Sequence, residues 1–155
     1  ALWAPFTYSA ESRGWPLIAN PKTLDALTTS LYVGDREWCD KNPELVAKFL
    51  RVRYRVVDVI RAGITPELVK QYQQYMNDFC GIRMTEAEAK TDLEGHPFWT
   101  LKETMEISEG DNPKALQWQD NAAKFFTGVG RFSQAEYDVF HKGGTFTTKF
   151  LKLLK

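Results

Sequence analysis

Between residues 45 and 60, apolar side chains recur at Leu45, Phe49, Val52, Val56 and Val59/Ile60. These steps of three and four draw one stripe along a helix, with Lys and Arg on the other face. The stripe predicts a helix buried on that side. Asn42-Pro43-Glu44 marks its start as an N-cap, a proline at the first helical position and an acid against the positive helix end. Gly63 marks its close. Thr65-Pro66-Glu67 repeats the start signal for a helix through Leu68, Val69, Tyr72, Tyr75, Met76 and Phe79, ending near Gly81. Thr85-x-x-Glu88 and Ser133-x-x-Glu136 are capping boxes, in which side chain and backbone satisfy each other reciprocally. Asn112-Pro113 opens a helix through Leu116, Trp118, Ala122, Phe125 and Phe126, closing near Gly128. The tail TFTTKFLKLLK predicts a last, short amphipathic helix.

The first third reads differently. Residues 2–5 are short and apolar, and 15–19 form a second apolar run between Gly14 and the Asn20-Pro21 breaker. Residues 28–33 (TTSLYV) are β-branched and aromatic, ended by Gly34-Asp35, and form the strongest strand candidate. About three short strands and about six helices are therefore expected, an α/β class. Three short strands do not make a sheet alone. The missing strands are expected outside this chain, as is the natural start, because ALWAPFTYSAES opens partway through a strand and turn. An edge at 28–33 would need covering by that missing half or by a second chain.

Composition narrows the classes. The chain has 155 residues, enough for one domain with a core, and 43% of them are apolar. Lys plus Arg balances Asp plus Glu at 20 each, which argues against a nucleic-acid partner, since phosphate binding draws on a basic excess. No apolar run approaches the roughly 20 residues that span a bilayer. Cys39 and Cys80 match no CxxC spacing and are either two buried thiols or one disulfide.

Catalytic motifs are not found: no G-x-S-x-G, no P-loop, no G-x-G-x-x-G and no zinc helix around His96 or His141. Both histidines are expected to be solvated or locally bonded, and no metal or cofactor is expected. Arg51, Arg53 and Arg55 alternate, but a helix spreads such residues around its surface. What remains is the front of the chain. Trp3, Phe6, Thr7 and Tyr8 gather beside a turn fixed by Pro5, and Thr28, Thr29 and Ser30 set three hydroxyls at the start of a strand. An aromatic wall with hydroxyls suits a cleft for a small polar or anionic solute. The alternative is a Trp packed in a core and threonines chosen for β propensity.

ALWAPFTY, the short WPLIA strand and TTSLYVGDREWCDKNPELVAKFLRVRYRVVDVI together resemble the C-terminal half of a solute-binding protein. The family is that of the nitrate/sulfonate/taurine-type ABC importers, which includes binders of thiamine pyrimidine precursors. The stretch ALQWQDNAAKFFTGVGRFSQAEYDVF is similar to the family's penultimate helix and following turn. The resemblance implies a type II periplasmic-binding-protein-like fold. Residues 1–27 would end the second lobe and cross the hinge, residues 28–155 would complete the first lobe, and 84–108 would be a variable loop. It implies non-catalytic capture of a small anionic or heteroaromatic solute outside the cytoplasm and delivery to importer membrane subunits. Trp3, Pro5, Thr7, Thr28, Thr29 and Ser30 would line the cleft, and an extracytoplasmic location would favour a Cys39–Cys80 disulfide. An interaction or regulatory domain of the same fold is the alternative. A pyrimidine-precursor-synthesising enzyme is less favoured, because neither histidine lies in the cleft segments.

Overall fold

The computed structural model describes residues 6–19, 23, 31–142 and 146–154. Among the described residues every regular element is helical and no strand is present, which corrects the expected α/β, periplasmic-binding-protein-like class. Residues 15–19 and 31–33, both expected as strands, are irregular. Ile18 is 95% and Val33 94% exposed, so neither run has found a neighbouring strand to pair with or a core to enter. With no strand at 31–33, that stretch offers no sheet edge for a partner to cover. The expected strand at 2–5, and the expected lobe boundary and hinge at 24–30, lie outside the described residues.

The elements in order are α1 (Phe6–Ser12), α2 (Arg36–Lys41), α3 (Pro43–Ala62), α4 (Pro66–Phe79), α5 (Glu86–Gly95), α6 (Leu101–Ser108), α7 (Lys114–Gly128) and α8 (Gln134–Lys142). A 3-10 turn at Leu151–Leu154 follows. Local chemistry accounts for most starts. Asp35 caps α2 by accepting from the Trp38 amide, and Thr65 caps α4 by accepting from Leu68. Full capping boxes open α5 (Thr85 with Glu88), α6 (Thr100 with Glu103) and α8 (Ser133 with Glu136). The segment 84–108, expected as a variable loop, thus carries two capped helices. Asn42 serves two helices: α3 begins directly after it and its carbonyl accepts from the Leu45 and Val46 amides, as the expected start requires, while its side-chain amide donates back to the Trp38 carbonyl at 2.8 Å and closes α2. After α4, Gly81 takes a φ of +66°, and the Ile82 amide reaches back to the Met76 carbonyl.

The chain divides into two compact units, Ala1–Ala19 with Arg55–Phe98, and Asn20–Tyr54 with Trp99–Lys155. In the first, α4 packs on α5. Val69, Met84, Ala89 and Leu93 are buried there, with Ile60, Leu68, Tyr72 and Met76 packed around them. In the second, α7 packs against both α6 and α8, and Met105, Ala115 and Ala123 are buried.

The long helix α3 reverses its expected orientation. Its buried residues are Ala47, Leu50, Tyr54 and Val57, at 0–8% exposure, while Leu45, Phe49, Val52, Val56 and Val59 are 53–60% exposed. Both sets follow helical spacing, so α3 carries two apolar stripes. Packing has taken the stripe of Ala47, Leu50, Tyr54 and Val57, with Ala47 fully buried.

Candidate functional site

The first candidate is a buried carboxylate. On α5, Ala89, Asp92 and Leu93 share the inward face, and Asp92 is only 3% exposed. Tyr8 from α1 donates its hydroxyl to Asp92 Oδ1, and Tyr72 from α4 donates to Oδ2 at 2.5 Å. The His96 ring lies beside them, its Nδ1 2.8 Å from the Asp92 carbonyl and 3.4 Å from Oδ1. Burial first, then the hydrogen bond to Asp92, holds both phenols well above the ordinary tyrosine range. Two phenols on one carboxylate form a charge-assisted cross-link of α1, α4 and α5. His96 is half-exposed at the edge of the group.

The second is a surface group on α7 and α8. Asp120 is met by Lys124 Nζ at 2.6 Å and by the Tyr137 hydroxyl at 2.7 Å. His141 Nδ1 is 3.4 Å away, its ring stacked on Tyr137. The hydrogen bond from Lys124, then that from Tyr137, holds the Asp120 carboxyl below its ordinary range, while the bond to Asp120 raises Tyr137. Lys124 and Asp120 are one turn apart on α7, and Tyr137 and His141 one turn apart on α8, so the group fastens the two helices together.

Neither group lines either of the two depressions of note. Both are shallow, one lined by Leu101, Lys102, Met105, Glu106, Glu109 and Gly110, the other by Asn77, Asp78, Arg83, Met84, Thr85 and Glu88. Among the described residues, no three His, Cys, Asp or Glu side chains are arranged to hold a metal ion. No helix among them is long and apolar enough to cross a membrane.

The third candidate is apolar surface. Besides the outer stripe of α3, Tyr75 and Phe79 stack at 5.6 Å on α4 while 55% and 79% exposed. Phe125, Phe126 and Phe132 touch in sequence at 5.6 Å around the end of α7, all more than 40% exposed. Against the outer stripe, Tyr32 meets Phe49 edge-on at 5.1 Å and 86°. The Arg53 guanidinium lies 4.5 Å from the Tyr54 ring and 6.0 Å from the Tyr32 ring.

Of the residues expected in a cleft, Trp3, Pro5, Thr28, Thr29 and Ser30 lie outside those described, and Thr7 is half-buried in the first turn of α1. Cys39, half-buried in α2, and Cys80, exposed after α4, are free thiols and lie in different units. His96 is bonded within its own helix end to the Asp92 carbonyl, and both histidine side chains are more than half exposed. Asp92 and Asp120 were not singled out from the sequence. The available signal for Asp92 was a carboxylate at the buried spacing between Ala89 and Leu93, inside a capped helix.

No protein-family model, no curated protein and no solved structure matches this chain.

Proposed function

We propose that this chain is a non-catalytic binding module that works by docking a macromolecular partner on apolar helix surface. The observation that carries it is the outer stripe of α3, five aliphatic and aromatic residues more than half exposed on a helix already anchored by its opposite face. Contiguous apolar surface of this kind marks interaction sites more often than ordinary surface. The aromatic groups on α4 and α7 belong to the same reading. Buried carboxylate and surface carboxylate serve as fastenings within each unit, leaving the apolar faces to meet partners.

The test is affinity capture from an extract of the source organism with the chain and three variants, Phe49→Glu, Phe79→Glu and Phe125→Glu. A specific retained protein, lost with one variant and kept by the others, is expected. Identical retention by all four overturns the reading. Native mass spectrometry of the purified chain supplies the contrasting arm. A stoichiometric small molecule on the chain would support capture of a solute for an importer, the role implied by the resemblance, instead.

A further inference from the structure

We propose that the outer face of α3 is the seat of a partner helix that is amphipathic and acidic along its edges. The proposal rests on the binding-module reading above and names its occupant. Leu45, Phe49 and Val52 are spaced four and three apart, and Val56 and Val59 continue the alternation along the same helix. That is the seam spacing by which two helices pack side by side, each seam residue a knob for the facing helix. The seam is one residue wide per turn. A membrane-surface helix buries a broader face, so a second helix fits the seam better than a lipid surface does.

The charges specify the occupant. The positions bordering such a seam are those just before each residue of the Phe49 and Val56 type and just after each of the Leu45, Val52 and Val59 type. On α3 these are Lys48 and Arg55 on one edge, and Val46, Arg53 and Ile60 on the other. Every charged residue among them is a cation. The two acids nearby, Glu44 and Asp58, sit one position further around the helix, level with Arg51. Lys48 and Arg55 make no hydrogen bond or ion pair among the described residues, whereas Arg51 donates to the Leu153 carbonyl at 2.8 Å and Arg53 to the Trp99 carbonyl. The first half of the seam, with Tyr32 against Phe49 and Arg53 beside Tyr32, lies wholly within the unit of Asn20–Tyr54 and Trp99–Lys155.

A second copy of the chain is a poor occupant. Parallel pairing would set Lys48 against Arg53 of the copy, and antiparallel pairing would set Lys48 against Arg55. Like charges at these positions repel and decide partner choice. A helix with carboxylates at the bordering positions turns both edges into attraction.

The probes are two synthetic three-heptad peptides with leucine at both seam positions and either glutamate or lysine at all bordering positions. Each repels itself and stays unpaired at neutral pH. Fluorescence anisotropy of labelled peptide against the whole chain should show saturable binding of the glutamate peptide, at least tenfold tighter than the lysine peptide. Lys48→Glu combined with Arg55→Glu should invert that preference. Phe49→Asp should abolish binding of both with the helical circular dichroism unchanged. Equal binding of the two peptides, or binding indifferent to Phe49→Asp, overturns the proposal. So does Phe49-dependent self-association in sedimentation, or Phe49-dependent capture by phosphatidylserine vesicles in place of the peptide. If the glutamate peptide fails while Phe49-dependent capture from extract persists, the acidic-helix occupant is wrong and the binding-module reading stands. If capture fails as well, both fall.

Discussion

Removing one hydroxyl tests the fastening of α1, α4 and α5. Tyr72→Phe keeps the ring that packs against the buried cluster of Val69, Met84, Ala89 and Leu93, and deletes only the donor to Asp92 Oδ2. A hydrogen bond to a charged group contributes about 1.5–3 kcal/mol. Tyr72 is half-buried, so water can partly replace the bond, and the lower end, about 1.5–2 kcal/mol, is expected. For a chain of this size that corresponds to roughly 3–8 °C in Tm. In an Asp92→Asn background the bond is neutral and about half as strong, so the same change should cost only about 0.5–1 kcal/mol. The double-mutant cycle then shows a coupling near 1 kcal/mol. Urea unfolding followed by circular dichroism measures all four corners, and exchange of α5 amides reports whether the loss falls in this unit. A Tyr72→Phe cost below about 0.5 kcal/mol, or equal costs in both backgrounds, would refute the charge-assisted fastening.

Both phenols on Asp92 are held above the ordinary tyrosine range, so the folded chain keeps their protons longer than the unfolded one. Their contribution is whole below the unfolded value near 10 and drains away as pH rises beyond it, so melts from pH 8 to 12 should fall from about pH 10, less so in Tyr72→Phe. Val57→Ala, on the buried stripe of α3, should cost about 1–2 kcal/mol, and Val56→Ala, on the outer stripe, less than about 0.5; equal costs in urea unfolding would contradict the orientation of the helix. The Gln119 amide nitrogen is buried with no hydrogen-bond partner among the described residues, so Gln119→Met should raise stability by about 1 kcal/mol in the same assay. Cys39 and Cys80 should both react in thiol titration of the unreduced, denatured protein, and a count near zero would show the bond that the structure lacks.

The helical part of the fold was legible because its signals are local. Thr65, Thr85 and Ser133 each bond to backbone within three residues, and nothing distant is needed to fix those starts. The Thr100–Glu103 box has the same pattern as Thr85–Glu88 and was equally readable, though it was not picked out. Where competition between local partners decided the outcome, the sequence was ambiguous: the Asn42 side chain had two helix ends within reach and bonded to the one behind it. Strand expectations failed because β-branched and aromatic content reports only fitness for a pleated surface. TTSLYV and WPLIA had no partner strand among the described residues to make that fitness count. α1 was missed because its sequence, FTYSAES, carries little helix propensity, and its anchor, Tyr8 on Asp92, is 84 residues away.

The same distinction explains why the candidate sites were harder to read than the helices. Periodicity found α3 and the spacing of its outer stripe but expected that stripe to be buried, because period says only that an apolar face exists and never what covers it. Leu45, Phe49 and Val52 would read identically if they met the protein's own core or another protein's helix. What separates the two cases is the second stripe: once Ala47, Leu50, Tyr54 and Val57 have taken the interior, a helix cannot bury its outer face against the same neighbours. The cations at the bordering positions then carry information that burial alone lacks. Lys48 and Arg55 leave their charge unanswered within the described chain, and an unanswered charge beside an apolar seam selects for the sign of whatever docks there. A sequence reader who finds two helical stripes in one segment should therefore ask which of them has charges of one sign on both borders, because that stripe is built to discriminate between partners.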